Sequence, residues 1–181
     1  MLQDTDSPAS AITPKEGIEL HGILEMRTRR RARETALEIL YQCDTVQDWS
    51  EKSIEFYYTI YRSEELASEE ASVIENVAFS RSLALGVSQK IKDIDQEISA
   101  ASDHWSISRM ARVDRNILRL SVYEILFISE IPTSVSINEA VELAKRYGSD
   151  DSPGFINGIL DKIGSKVHQD QKVIAPKVAN E

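Results

Sequence analysis

A hydrophobic stretch extends from Val113 to Ile128 and reads VDRNILRLSVYEILFI. From Ile117 onward nearly every side of it is apolar, and the apolar positions recur at intervals of three and four residues, as in an α-helix. A helix that is hydrophobic on all sides belongs inside a core. The charged residues in this stretch exclude a membrane span, which needs roughly 20 predominantly apolar residues. We therefore predict a central helix of about 18 to 20 residues that ends before Pro132.

Amphipathic stripes with helical spacing predict further helices on both sides of the central one. These stripes lie at residues 32–43, 50–62, 73–98, 137–147 and 155–163. We expect the first helix to begin near Arg27, after a segment that shows no periodicity. No segment has the alternating pattern of a convincing strand. The sequence therefore predicts an all-α fold, a compact bundle of about six to seven helices.

Several residues indicate where the later helices begin and end. Ser136 and Glu139 match the S-x-x-E capping box, which predicts a helix start directly before Ile137. Gly148 is suited to the position after the end of that helix. Asp151 or Ser152 can cap the next helix through a side-chain oxygen.

Three glycines within the predicted helices indicate close packing. Glycine in a helix costs about 1 kcal/mol relative to alanine, so Gly86 is expected where another backbone approaches closely. Gly154 and Gly158 are one helical turn apart, and this spacing favours a close helix contact over a phosphate site.

The chain has 181 residues, enough for one domain with tails. We predict a disordered or loosely ordered extension at 1–25, a helical domain at 26–165 and a flexible tail at 166–181. The single cysteine, Cys43, cannot form an internal disulfide, and the three histidines lack ligand spacing, so no metal or other cofactor is predicted. The N-terminus lacks the basic and apolar regions of a signal peptide. We expect a cytoplasmic protein with no membrane partner.

The net charge of −9 argues against non-specific binding of nucleic acid, because such binding requires neutralisation of phosphates. The basic residues are nevertheless concentrated, since five arginines fall between Arg27 and Arg33. This run is consistent with a solvated, charged helix end or with a phosphate-binding surface. Tyr41 lies within about 20° of Arg30 on a helical wheel, so an aromatic ring and a cation share one face, as single-stranded RNA binding favours.

Two segments resemble one family, the NusB transcription antitermination factors. RRRARETALEILYQ (Arg29 to Gln42) is similar to the arginine-rich first helix of that family. The second half, from Val113 through IPTSVSINEAVELAKRYGSDDSPGFINGILDKI to Ile163, resembles the family almost without gaps. The resemblance implies two helical subdomains, no catalysis, and binding of single-stranded boxA RNA from ribosomal-RNA transcripts together with the ribosomal protein NusE. It also implies assembly with the RNA polymerase antitermination complex; a second copy of the chain is a further candidate partner.

The resemblance implies RNA contacts by four arginines of the first helix, two aromatic residues and two acidic residues. They are Arg29, Arg30, Arg31, Arg33, Tyr41, Phe155, Asp114 and Asp151. Pro153 and Gly154 depart from the family pattern, because many members have a basic residue before the phenylalanine, and this weakens the expectation of a phosphate contact there.

Each of the later positions also has a structural explanation. Phe155 continues an apolar stripe with Ile159 and Ile163, which favours a core position, and Tyr41 fits the edge of a core equally well. Asp151 is most simply a helix cap.

Other functions with the same fold are an RNA-binding module associated with ribosomal-RNA modification or ribosome assembly, and a helical scaffold without an RNA role. The sequence has no paired-carboxylate signature, nucleophile motif or glycine-rich phosphate loop that would indicate an enzyme.

Overall fold

The computed structural model describes the backbone of residues 14–103 and 105–174 and the side chains of residues 26–103 and 105–169. Within these ranges the chain forms seven α-helices and one short 3-10 helix, with no strand. The elements are α1 (Pro14–Val46), α2 (Glu51–Tyr61), α3 (Ser63–Leu66), α4 (Ala71–Ala101), the 3-10 helix (Ile107–Arg109), α5 (Arg112–Phe127), α6 (Thr133–Tyr147) and α7 (Ser152–Ile174). The predicted all-α fold is confirmed. Residues 1–13 of the predicted extension and 175–181 of the predicted tail lie outside the described ranges.

Helix α5 lies at the centre, where it contacts α1, α4, α6 and α7. Ile117, Leu118 and Leu120 are almost completely buried and join one core that also contains residues of α1, α2, α4, α6 and α7. The central position of this helix was predicted, but its length is 16 residues rather than 18 to 20. The helix is shorter because the backbone is extended at Met110 and Ala111, which separates it from the preceding 3-10 helix.

Helix α1 begins at Pro14, so the prediction of a start near Arg27 was wrong. Proline is favoured at the first position of a helix, because its fixed φ is suitable and its missing N–H would have no partner there. Gly17 and Gly22 lower the helix propensity of the next turns. An established helix nevertheless gains a hydrogen bond for each residue it adds. The arginine run therefore lies in the middle of α1, far from the unfavourable end of the helix dipole.

Helix α6 begins at Thr133, one turn before the predicted capping box. Ser136 and Glu139 are buried inside the helix, and both bind side chains of other helices instead of the helix end. The prediction of a capping box was wrong because a sequence pattern cannot distinguish local hydrogen-bond partners from tertiary ones. Gly148 does follow the end of this helix, in an extended conformation.

The glycines differ in their surroundings. A Cβ at Gly86 would lie 2.0 Å from the ring atom Cζ of Tyr123, so the close approach at this position comes from a side chain and not from a backbone. A Cβ at Gly154 or Gly158 would meet nothing within 4 Å. The predicted close helix contact at these two glycines was therefore wrong, and they face open space.

Helix α7 continues to Ile174, beyond the predicted domain end at residue 165. The first residues assigned to a flexible tail are thus helical. Across the part of the chain that the structure describes, no helix is long and apolar enough to cross a membrane.

We predict that Leu120→Ala destabilises the protein by about 2 to 5 kcal/mol, because it removes a buried side chain and leaves a cavity in the core around α5. Thermal or denaturant unfolding would measure the change. Ile60→Ala is the matched control, since Ile60 is 53% exposed and its truncation should have little effect. Equal stability of both variants would show that α5 is not the centre of the core.

Candidate nucleic-acid interface

The arginine run is a cluster in sequence but not on one face of α1. Successive residues of an α-helix point in directions about 100° apart, so the side chains spread around the helix. Each of the four predicted arginines lies within 4.0 Å of a carboxylate from a different element. The pairs are Arg29 with Glu75 of α4, Arg30 with Glu139 of α6, Arg31 with Glu65 of α3, and Arg33 with Glu124 of α5.

Arg33 is a core residue, which contradicts its predicted RNA-facing role. Its side chain is 6% exposed, and its Nε and Nη2 donate to the two carboxylate oxygens of Glu124 at 2.7 and 3.2 Å. Ser136 of α6 donates a third hydrogen bond to Glu124 at 2.8 Å. This arrangement joins three helices and leaves the guanidinium of Arg33 with no access to a ligand.

The other three arginines are accessible to different degrees. The side chain of Arg31 is 66% exposed, and its 3.4 Å contact with Glu65 is a weak surface ion pair. Arg30 is 43% exposed but donates two hydrogen bonds to Glu139, at 2.9 and 2.7 Å. The guanidinium of Arg29 lies over the ring of Phe79, 4.3 Å from its centroid. Of these four arginines, Arg31 can therefore turn most easily towards a phosphate.

Tyr41 lies on the surface of α1, about three helical turns after Arg31. Its side chain is 44% exposed, and the guanidinium of Arg112 lies 5.6 Å from the centroid of its ring. Arg112 also donates a hydrogen bond to the hydroxyl of Thr45 at 3.3 Å. A cation beside an exposed aromatic ring can contact a phosphate while the ring stacks on a base.

Beneath this surface, Asp44 holds the arginines of α5 in place. It is 3% exposed and accepts hydrogen bonds from Arg115 and Asn116, and one of its oxygens lies 3.4 Å from Nη1 of Arg119. Burial alone would raise the pKa of the Asp44 carboxyl. The hydrogen bonds and the nearby positive charges outweigh burial and lower this pKa. Asp44 therefore stays ionised and balances part of the positive charge below Tyr41.

Asp114, one of the predicted acidic site residues, is 8% exposed. Its Oδ1 is buried and has no hydrogen-bond partner among the described residues. Burial of this side chain argues against direct contact with a base, although it lies in the first turn of α5, close to Arg112 in sequence.

Asp151 and Phe155 lie at the start of α7. Asp151 is exposed, and its backbone carbonyl accepts the hydrogen bond of the Phe155 N–H at 3.1 Å. Phe155 is partly buried against the core, and its ring makes an edge-to-face contact with Trp105 at a centroid distance of 6.2 Å. Phe155 therefore packs against the core, as its apolar stripe predicted, while its ring also borders the exposed Trp105.

Sequence reasoning missed three residues at this surface, namely Trp105, Arg109 and Arg112. They lie just before the central helix or at its first residue. The apolar pattern of that helix gives no indication of the basic and aromatic residues that flank it. Arg30, in contrast, lies 11 residues before Tyr41, a rise of about 16 Å along the helix. The helical face that these two residues were predicted to share therefore extends along α1, and the two side chains are too far apart to line a single pocket.

The arrangement is suited to binding. In the described part of the chain, no group of three or more His, Cys, Asp or Glu side chains could hold a metal ion. Exposed aromatic rings beside guanidinium groups provide stacking and phosphate contacts.

Comparison with known proteins shows that the chain is similar to one family. The sequence profile of the NusB family matches residues 30–165. A transcription antitermination protein NusB from Geobacter sp. (strain M21) is 46% identical over 148 residues, which cover 78% of this chain and 97% of that protein. A protein of the same name from Desulfitobacterium hafniense (strain DSM 10664 / DCB-2) is 45% identical over 143 residues, covering 78% and 91% of the two chains.

Two solved structures share the fold. The T. maritima NusB structure superposes with a TM-score of 0.64 at 35% identity and covers 76% of this chain and 91% of its own. A crystal structure of the antitermination factors NusB and NusE in complex with double-stranded RNA gives a TM-score of 0.64 at 28% identity, with coverage of 78% and 98%.

We predict that the stability advantage of the parent protein over Asp44→Asn is largest above about pH 5 and shrinks as the pH falls below about 4. The pKa of Asp44 is lowered in the folded state, so its contribution is present above the unfolded value of about 3.9 and is lost as pH falls through the folded value. Removing one partner of a buried charge pair costs about 3 to 5 kcal/mol at neutral pH. Denaturant unfolding between pH 7 and pH 3 measures the difference.

Asp93→Asn is the control for this experiment, because the Asp93 side chain is 63% exposed and its contact with Lys90 is 3.8 Å long. A difference between the parent and Asp44→Asn that stays constant down to pH 3 would contradict the assigned role of the carboxylate.

Proposed function

Because the chain belongs to the NusB family, we propose that it is an RNA-binding transcription antitermination factor that acts together with the ribosomal protein NusE. In this proposal the pair binds the boxA element of nascent ribosomal-RNA transcripts and supports processive elongation by RNA polymerase. The observation that carries the proposal is the exposed Tyr41–Arg112 pair. Tyr41 of α1 and Arg112 of α5 both lie within the residues that match the family. Together they combine a stacking ring with a cation that can bind phosphate.

We infer that the protein works by binding and assembly in the cytoplasm, and not by catalysis. The match to the Geobacter relative covers 97% of that protein, which leaves little of it for an additional catalytic domain. This extent of similarity supports an independent factor over an RNA-binding module of a modification enzyme.

The charge distribution supports a basic protein partner. The chain carries a net charge of −9, Glu64 is exposed on α3, and Glu69 and Glu70 are exposed between α3 and α4. The negative electrostatic field of this chain repels RNA at long range and attracts a basic protein, as ribosomal proteins typically are. A basic partner would cancel part of the negative field and extend the RNA surface beyond that of this chain.

We propose Arg31, Tyr41, Asp151 and Phe155 as members of the RNA-binding surface, with Arg29 and Arg30 at its edge. Arg33 is excluded because it is bound inside the core. Asp114 is proposed to orient the start of α5 rather than to contact RNA, since it is buried.

We expect the complex of this protein with NusE to bind boxA RNA more tightly than either protein alone, and RNA to tighten the protein pair by the same factor. The measurement is RNA affinity for each protein and for the mixture at one salt concentration. Single-stranded boxA RNA and a duplex of the same sequence should be compared, because the solved NusB–NusE relative contains double-stranded RNA.

A salt titration should accompany this measurement. RNA binding through phosphates weakens as salt increases, by about 0.7 units of log K per unit of log salt for each single-strand contact. A mixture that binds no better than its stronger component would refute the cooperative function, and absence of RNA binding would favour a scaffold.

We expect Tyr41→Ala to weaken RNA binding by about 1 to 3 kcal/mol, the value of one base stacked on an aromatic ring. The melting temperature should change little, because the side chain is 44% exposed. Tyr61→Ala is the control, since Tyr61 is also exposed but belongs to α2. A variant that loses several degrees of stability while RNA affinity is unchanged would show that Tyr41 is a core residue.

A further inference from the structure

The loop between α4 and the 3-10 helix presents a large aromatic side chain to solvent. Trp105 is 55% exposed, although tryptophan has a large apolar surface that usually packs inward. It is not part of the hydrophobic core and was not indicated by the sequence motifs. An exposed aromatic residue with polar neighbours is characteristic of a binding surface.

The backbone at Trp105 is held in a fixed position. Its N–H donates to the carbonyl of Ser102 at 3.1 Å, and the buried hydroxyl of Ser102 donates to the carbonyl of Trp105 at 3.1 Å. Lys162 of α7 donates to the carbonyl of Ala101 at 3.1 Å and so connects this corner to α7. These hydrogen bonds hold the backbone of Trp105 beside the end of α4, and the Lys162 contact links that end to α7.

Phe155 supports one side of the indole through their edge-to-face contact, with an interplanar angle of 67°. The neighbouring surface of α7 is open, because no atom lies within 4 Å of a Cβ at Gly154 or Gly158. A planar ligand can thus approach the indole and the adjacent helix backbone without a steric barrier.

A guanidinium group lies beside this aromatic pair. The guanidinium of Arg109 lies 6.0 Å from the centroid of the Trp105 ring. Arg109 and Arg112 are three residues apart, so their Cα atoms are separated by at most about 11 Å. The Trp105–Arg109 pair and the Tyr41–Arg112 pair are therefore close neighbours along the backbone, and each combines an aromatic ring with a cation.

We propose that Trp105 stacks on an unpaired base of the bound RNA while Arg109 contacts an adjacent phosphate. The inference rests on the proposed RNA-binding function and adds a second stacking position to the one at Tyr41. The chemistry favours RNA over an apolar protein segment, because two guanidinium groups flank the rings and single-stranded RNA offers both phosphates and π-faces.

Trp105→Ala tests the proposal. We expect it to weaken binding of single-stranded boxA RNA by about 5- to 150-fold, the range for one stacked base, with unchanged unfolding. Trp105→Phe should restore part of the affinity because it keeps an aromatic ring. Phe56→Ala is the matched control, since Phe56 is 58% exposed on α2, and it should bind like the parent.

Fluorescence gives a second readout that does not depend on a destabilising change. The chain has two tryptophans, so Trp49→Phe leaves Trp105 as the only indole. Stacking on a base should quench its emission during RNA titration. In Trp105→Phe the remaining Trp49, which lies under Arg119, should show no such quenching.

The outcomes separate the two proposals. If the parent protein and its NusE complex bind no RNA, the proposed function fails. If the parent binds RNA but Trp105→Ala binds equally well and Trp105 is not quenched, only the stacking role is overturned. A Trp105→Ala variant that binds RNA normally but NusE weakly would identify this surface as a protein contact and would also overturn the proposal.

Discussion

The guanidinium of Arg33 and the carboxylate of Glu124 form an ion pair inside the core, where neither side chain is accessible to water. The pair joins α1 to the central helix, and the hydroxyl of Ser136 adds α6 to it. A buried charge without its partner is strongly unfavourable, so these three helices pack correctly only when both groups meet. The position of α1 beside α5 depends on this constraint, and so does the placement of Tyr41 next to Arg112.

The same pairing of charges explains how an acidic protein keeps a local surface for RNA. Carboxylates of α3, α4, α5 and α6 pair with the arginines of α1, so the basic run is largely balanced by its neighbours. The arginines at the start of α5 are arranged differently. Asp44 faces Arg112, Arg115 and Arg119, and Asp95 also pairs with Arg119, so three guanidinium groups meet two carboxylates. Arg112 is 40% exposed and keeps positive charge beside Tyr41. The positive charge of this surface therefore comes from a local excess of arginines over carboxylates, although the net charge of the chain is negative.

Residue spacing predicted some parts of the candidate site and not others. The sequence left open whether Tyr41 lies at the edge of the core or on a surface that it shares with Arg30, and in the structure its side chain is 44% exposed. The exposure of Arg33 was predicted incorrectly, since its partner Glu124 is 91 residues away in the sequence. Trp105 was missed because it contacts Phe155 of α7, which is distant in the sequence, and Arg109 was missed because its guanidinium lies beside the Trp105 ring.

The sequence by itself determined the all-α class, the central position of α5 and the membership of the family, because helical periodicity and local motifs are properties of neighbouring residues. Only the tertiary structure decided which charges and rings meet. Ser136 and Glu139 have the pattern of a helix cap but serve as partners of other helices. Gly154 and Gly158 have the spacing of a helix contact but face open space. The physical reason is that a hydrogen bond, an ion pair or a stacked ring depends on distance in space, which packing sets and sequence separation does not.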